Sequence, residues 1–87
     1  MLKLKEGYIL RKIAGENVVI ASGEELDLNM MISLNETGTF LWKLLEKGSS
    51  EEEMVGEILK EYDTDEATAA AAVHRFVVKL QENELLA

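Results

Sequence analysis

The amino-acid sequence predicts an α+β fold in which a three-stranded antiparallel sheet is followed by a bundle of three helices. Two observations support this class. Short runs of β-branched and aromatic residues occupy only the first two-fifths of the 87 residues. From Asn35 onward, apolar residues recur instead at the spacing of helices. On a chain this small, strands followed by helices indicate one winged-helix-like domain over residues 1–87.

The first two strands are predicted to form a hairpin. Residues 8–14 and 17–21 have the composition of strands, and they flank Gly15 and Glu16, which predict a short turn. The hairpin is followed by a polar, acidic segment over residues 22–29, which has the composition of a loop.

The third predicted strand, residues 30–34, runs almost directly into the first helix. The side chain of Asn35 can accept hydrogen bonds from the amides of the first helical turn, and Glu36 places negative charge at the positive end of the helix dipole. We expect this helix to run from residue 36 to about residue 47, with Gly48 at its end. The junction fixes an edge strand beside the helices.

Two further helices have recognisable starts. Ser50 and Glu53 form a capping-box pattern ahead of the second helix, and the segment 63–65 can cap a third helix from residue 66 to about residue 82. The third helix carries one apolar stripe, made by Ala69, Val73, Phe76, Val77 and Leu80. Leu85 and Leu86 are expected to fold back onto the core.

Composition and charge restrict the classes of function. Seventeen acidic residues against nine basic ones give a formal net charge of −8, which repels a polyanion and argues against nonspecific nucleic-acid binding. Cysteine is absent, so the chain can form neither a disulfide nor a thiolate metal site. The sequence has no continuous apolar segment typical of a signal peptide or a membrane span. We therefore expect a cytoplasmic protein.

The sequence offers little for catalysis. His74 is the one histidine and lies in the middle of the third predicted helix, where a partly exposed structural role is the simpler interpretation. Asp63, Asp65 and Glu66 resemble the start of a calcium loop, but Thr68 stands where the sharp turn needs glycine. We therefore predict no enzymatic activity, no metal site and no cofactor.

Arg75 and Lys79 are two basic residues four positions apart on the third predicted helix of an acidic protein. Like charges at this spacing are mildly destabilising. They can belong to a solvated face on which Lys79 reaches Glu82, or they can meet acidic groups of a partner that lies along the helix.

Gly38 also allows two interpretations, since glycine inside a helix costs roughly 1 kcal/mol relative to alanine. Either another backbone approaches closely at this position, or the first helical turn tolerates the residue. Met30 and Met31 can likewise be adaptable binding side chains or ordinary packing residues of the sheet.

The order of motifs resembles the PqqD family, the small proteins of pyrroloquinoline quinone biosynthesis and their relatives. The motifs are Leu-Asn-Glu-Thr-Gly-Thr-Phe-Leu-Trp at residues 34–42, Glu-Tyr-Asp-Thr-Asp at 61–65 and Val-His-Arg-Phe-Val at 73–77. The resemblance implies a winged-helix-like fold that binds the leader of a ribosomally made precursor peptide and presents it to a modifying enzyme, often a radical S-adenosylmethionine enzyme. It also implies that the leader adds as a strand in the groove between the third strand and the third helix. The corresponding residues here are Met30, Met31, Ile32, Ser33, Leu34, Val73, Arg75, Phe76 and Lys79.

Three hypotheses about function follow. The first is a noncatalytic peptide-binding adaptor whose partners are a leader peptide and a modifying enzyme. The second is a winged-helix DNA-binding regulator, because a small sheet with three helices serves both purposes. The third is a structural subunit whose edge strand pairs with a larger enzyme or with a second copy, which makes a homodimer plausible.

Overall fold

A computed structural model describes residues 1–21 and 32–87. It contains six elements in the predicted order, and the α+β fold is confirmed. They are β1 (Tyr8–Ile13), β2 (Glu16–Ala21), β3 (Ile32–Leu34), α1 (Glu36–Lys47), α2 (Glu51–Glu61) and α3 (Glu66–Glu82). The strands form an antiparallel sheet in the order β1-β2-β3. The predicted loop over residues 22–29, and Met30 and Met31 of the predicted third strand, lie outside the described residues.

The hairpin turn lies one residue earlier than the composition predicted. Ile13 pairs with Glu16, so Ala14 and Gly15 alone form the turn, and Glu16 already belongs to β2. Ala14 has φ +52° and Gly15 has φ +82°, the left-handed values that a two-residue type I′ turn requires. Alanine is unusual at such a position, and this explains why the sequence suggested Gly15-Glu16 instead.

All three helix starts are capped as the sequence predicted. The Asn35 side chain accepts a hydrogen bond from the Gly38 amide at 2.7 Å, and that of Asp65 accepts one from the Thr68 amide at 2.7 Å. Ser50 and Glu53 form a complete capping box. These side chains satisfy amide groups that have no partner within the helix.

The helices cover one face of the sheet. Val19 of β2 and Leu34 of β3 share a buried core with Trp42 and with the apolar stripe of α3. Successive side chains of a strand point to opposite faces, so Val18, which lies outside this core cluster, points away from the helices. None of the helices in the described part of the chain is long and apolar enough to cross a membrane.

The two chain ends are joined beside the helices. Leu2 bridges to Ser49 in the connection between α1 and α2, and Leu4 bridges to Leu86. At the end of α3 the amide of Leu85 donates to the carbonyl of Leu80 at 2.9 Å, a Schellman-type ending with Glu84 in the left-handed region. Leu85 is fully buried, and the predicted return of the C-terminal leucines to the core is confirmed.

Replacing Ala14 by asparagine is expected to raise the free energy of unfolding by about 0.5–1 kcal/mol, because asparagine adopts the left-handed region more readily than alanine. The measurement is urea denaturation of the purified protein. The Ala14→Val variant should change stability in the opposite direction, since a β-branched side chain fits this conformation poorly. Equal or lower stability of Ala14→Asn would contradict the turn assignment.

Asp65 should make the stability of α3 depend on pH. Hydrogen bonds from the backbone and then the side chain of Thr68 hold the pKa of Asp65 below its usual value. A pKa that is lower in the folded than in the unfolded chain stabilises the fold above the unfolded-state pKa, and this stabilisation is lost as pH falls through the lower folded value. Wild type should therefore melt above the Asp65→Asn variant at pH 7, and the gap should narrow below about pH 4. A constant difference in melting temperature down to pH 3 would contradict this.

Candidate functional site

A cleft of about 780 Å³ opens between the end of the sheet and α3. One side is made by the hairpin turn, the start of β2 and the end of β3. The start of α1 contributes residues 35–38, and the opposite wall is a face of α3. The junction that the sequence placed between β3 and α1 therefore lies within the wall of this cleft.

Apolar side chains form the base of the cleft. Leu34, Leu41 and Phe76 line it, yet they are only 8%, 1% and 7% exposed because each also belongs to the core. Their positions are thus fixed by close packing within the fold. The cleft combines a rigid apolar base with a polar rim, which is the usual composition of a binding site.

Gly38 lines the cleft where α1 begins. A Cβ atom at this position would lie 3.1 Å from Oδ1 of Asn35 and 3.5 Å from the Leu34 side chain. Glycine therefore avoids a tight contact with the Asn35 side chain that caps the helix. The nearest described atoms are all side-chain atoms, so the close approach of another backbone that the sequence suggested is not found.

The two edges of the sheet differ in charge. β3 pairs with β2 on one side, and within residues 1–21 and 32–87 no strand pairs with its other side. The opposite edge strand, β1, carries exposed Arg11 and Lys12, and charged residues on an edge commonly prevent pairing with another chain. β3 consists of Ile-Ser-Leu and carries no charge. The edge of β3 therefore has no such protection.

Arg75 and Lys79 both line the cleft, on the wall formed by α3. Both are exposed, and neither forms an ion pair with any residue of the described ranges. The contact between Lys79 and Glu82 that a solvated face would allow is not formed. His74 lies outside the cleft, where its Nδ1 atom is 3.5 Å from Oε1 of Glu51 on α2.

The structure brings together part of the predicted set of site residues. Those that line the cleft are Ser33, Leu34, Arg75, Phe76 and Lys79. Ile32 is half-buried in β3 and packs against the core, whereas Val73 is completely buried among the helices and does not line the cleft. Met30 and Met31 lie outside the described residues.

Sequence reasoning missed several residues of the cleft. They are Gly15, Glu16, Asn17, Asn35, Glu36, Thr37, Gly38, Leu41 and Ala72. Gly38 could have been noticed in the sequence, because glycine is unfavourable inside a helix and its presence there often has a structural cause. Nothing in the sequence indicated that the hairpin turn belongs to the cleft, since only the pairing of Asn17 with Leu34 brings the turn beside the end of β3.

Comparisons with known proteins identify the family and the fold of this chain. The model of the family described as coenzyme PQQ synthesis protein D (PqqD) matches residues 8–86. A solved structure described as TbiB1 in complex with the TbiA(beta) leader peptide is 30% identical, with a TM-score of 0.77, over 97% of this chain and 93% of that one. A second, described as lasso peptide synthetase B1 complexed with the leader peptide, is 19% identical and has the same fold, with a TM-score of 0.77 over 99% of this chain and 96% of that one.

The search of curated proteins finds no match. The family match nevertheless spans all six elements of the fold, from the first residue of β1 to the C-terminal leucines. The chain belongs to the PqqD family.

Proposed function

We propose that this protein is a noncatalytic adaptor that binds the leader of a ribosomally made precursor peptide in the cleft and presents the peptide to a modifying enzyme. The observation that carries the proposal is the uncharged edge of β3, beside a cleft with an apolar base; no strand of the described ranges pairs with this edge. The 30% identical relative, which is solved with a leader peptide, supports the same function.

Binding by strand addition follows from the backbone of β3. An edge strand presents N–H and C=O groups on its free side, and an extended peptide can satisfy them as a fourth strand. Main-chain hydrogen bonds of this kind provide affinity for many sequences. Selectivity must therefore come from the side chains that line the cleft.

The apolar base adds packing contacts to the hydrogen bonds of strand pairing. A flexible leader loses conformational entropy when it becomes ordered, and this cost must be exceeded by favourable contacts. The exposed parts of Leu34 and Phe76 offer a small apolar surface that is already rigid, because both residues belong to the core. An apolar side chain of the leader that packs on this surface would anchor it beside β3.

Arg75 and Lys79 favour an acidic side chain in the leader. Their charges are exposed on the cleft wall and lack an ion-pair partner in the described part of the chain. The rest of the protein is strongly acidic. An acidic side chain of the leader is thus attracted to the α3 wall of the cleft, on a protein whose surface is otherwise mostly repulsive to it.

The charge distribution disfavours the alternative of a DNA-binding regulator. Its recognition helix would need several basic residues to contact phosphates and bases. Along its exposed side α3 offers Arg75 and Lys79, on a protein of net charge −8. A peptide-binding cleft needs no such excess of positive charge.

The modifying enzyme is proposed to be a radical S-adenosylmethionine enzyme in the cytoplasm, as the family resemblance implies. The adaptor itself contributes no reacting group. The genes beside this one test whether such an enzyme is the partner. A short precursor reading frame and a radical S-adenosylmethionine enzyme beside the gene would support the proposal. A neighbouring gene set with a different type of modifying enzyme would overturn this part of the proposal.

A leader peptide encoded beside this gene is expected to shift the amide NMR signals of residues 30–34 and of the α3 face that carries Arg75 and Lys79. The physical reason is new hydrogen bonding at the edge of β3 and a changed environment along the cleft wall. Titration of the ¹⁵N-labelled protein with unlabelled peptide provides the measurement. Shifts confined to the exposed surface of α2 would refute the site.

Reversal of both charges in the Arg75→Glu/Lys79→Glu variant is expected to weaken binding of an acidic leader about 5–30-fold, from the loss of two exposed ion pairs and the repulsion that replaces them. The melting temperature should change little, since neither side chain is buried or ion-paired. Isothermal titration calorimetry measures the affinity.

The matched control for this experiment is Lys43→Glu/Lys47→Glu. It changes the net charge equally at two exposed helical positions outside the cleft. This control should bind the leader almost as wild type does. Equal affinity of the cleft variant and the control would remove Arg75 and Lys79 from the site.

A further inference from the structure

We infer that the cleft selects peptides by the alternation of their charges, with acidic side chains facing α3 and a basic side chain facing the other side of the sheet. The inference rests on the proposed function and adds the class of peptide that fits. Its consequence is that charge sets the register in which the peptide pairs with β3.

The rim of the cleft is divided by charge. Arg75 and Lys79 lie on the α3 wall, whereas Glu16 lies at the start of β2 on the sheet side. Glu36, the first residue of α1, adds a second negative charge next to the end of β3. Within the described ranges no ion pair joins the two sides. Both kinds of charge therefore remain available to a bound peptide.

The pleat of the sheet assigns these charges to opposite faces. Val19 packs in the core against the helices, so Asn17 shares its face, and Glu16 and Val18 point the other way. Ser33, which pairs with Val18, is exposed on that outer face. The helices, and with them Arg75 and Lys79, lie on the inner face.

A peptide that adds to β3 must follow the same alternation. Every second side chain would point toward α3, and the side chains between them would point to the face of Glu16. An acidic residue and a basic residue separated by an odd number of positions can then both meet opposite charges. At an even separation both residues point to the same face, so only one of them can meet an opposite charge there.

Register is the property that this arrangement controls. Backbone hydrogen bonds are equally possible after a slip of one residue, but the slip moves every side chain to the other face. A slipped peptide would place its acidic side chains beside Glu16 and its basic side chain beside Arg75. Because β3 has only three residues in the described structure, side chains must supply most of the discrimination between registers.

The test begins with a library of random 15-residue peptides, selected for binding to the immobilised full-length protein. Bound sequences are expected to share an acidic and a basic residue at an odd separation, next to an apolar residue. A selected peptide is then compared with a version in which the acidic and basic residues are exchanged, so that composition and net charge stay the same.

Wild type should bind the selected peptide about tenfold more tightly than the exchanged one, given about a threefold effect for each of the two exposed pairs. The Glu16→Lys/Arg75→Glu variant should lose this preference, because Lys79 and Glu36 then offset the two introduced charges. Glu61→Lys/Lys43→Glu is the matched control, because it makes the same two changes of charge at exposed sites outside the cleft. The control should keep the preference of wild type.

The outcomes separate this inference from the proposed function. Equal binding of both peptides, with amide shifts at β3 and α3, would overturn the charge alternation and leave the adaptor function intact. Loss of the preference in the control variant would also overturn it, because the effect would then not depend on the charges of the cleft. Failure of every selected peptide to shift the β3 and α3 signals would overturn both.

Discussion

The hydrogen bond from the Gly38 amide to the Asn35 side chain, 2.7 Å long, is the interaction on which the candidate site depends. It ends the sheet and starts α1 within one residue of Leu34, so β3 cannot drift away from the helices. Leu41 and Trp42, one turn further along, anchor α1 in the core. The edge of β3 is consequently held at a fixed position beside α3, and the cleft is the space that remains between them.

An exposed strand edge is a liability that proteins usually protect, and this protein protects one edge and leaves the other without charge. Arg11 and Lys12 disfavour pairing of another chain with β1, whereas β3 has no charged residue. The unequal treatment is reasonable if pairing at β3 is the function. The acidic surface elsewhere reduces unwanted association, since molecules of the same high net charge repel one another.

Local features were predicted well because their causes are local. The three caps need only the residues within one helical turn, and all three formed as the sequence indicated. The hairpin turn was predicted one residue too late, because Ala14 adopts a positive φ and an alanine in the sequence does not indicate that conformation. The bridges of Leu2 and Leu4 were not foreseen, since isolated pairs between distant segments leave no periodic pattern.

The cleft itself was only partly predictable. Helical periodicity assigned Val73 and Phe76 to one apolar stripe, but it could not tell which member of the stripe reaches the rim. Val73 faces the core completely, while Phe76 contacts both the core and the cleft. The approach of the hairpin turn to α1 depends on the register between β2 and β3, which composition does not specify.

Amide hydrogen exchange at β3 tests the central claim most directly, because it reports whether the free edge is open and whether a peptide closes it. In the free monomer, amides of β3 that do not bond to β2 should exchange rapidly, and a bound leader peptide should slow their exchange strongly. Strong protection of all β3 amides in the free monomer, unchanged by the peptide, would contradict strand addition at this edge.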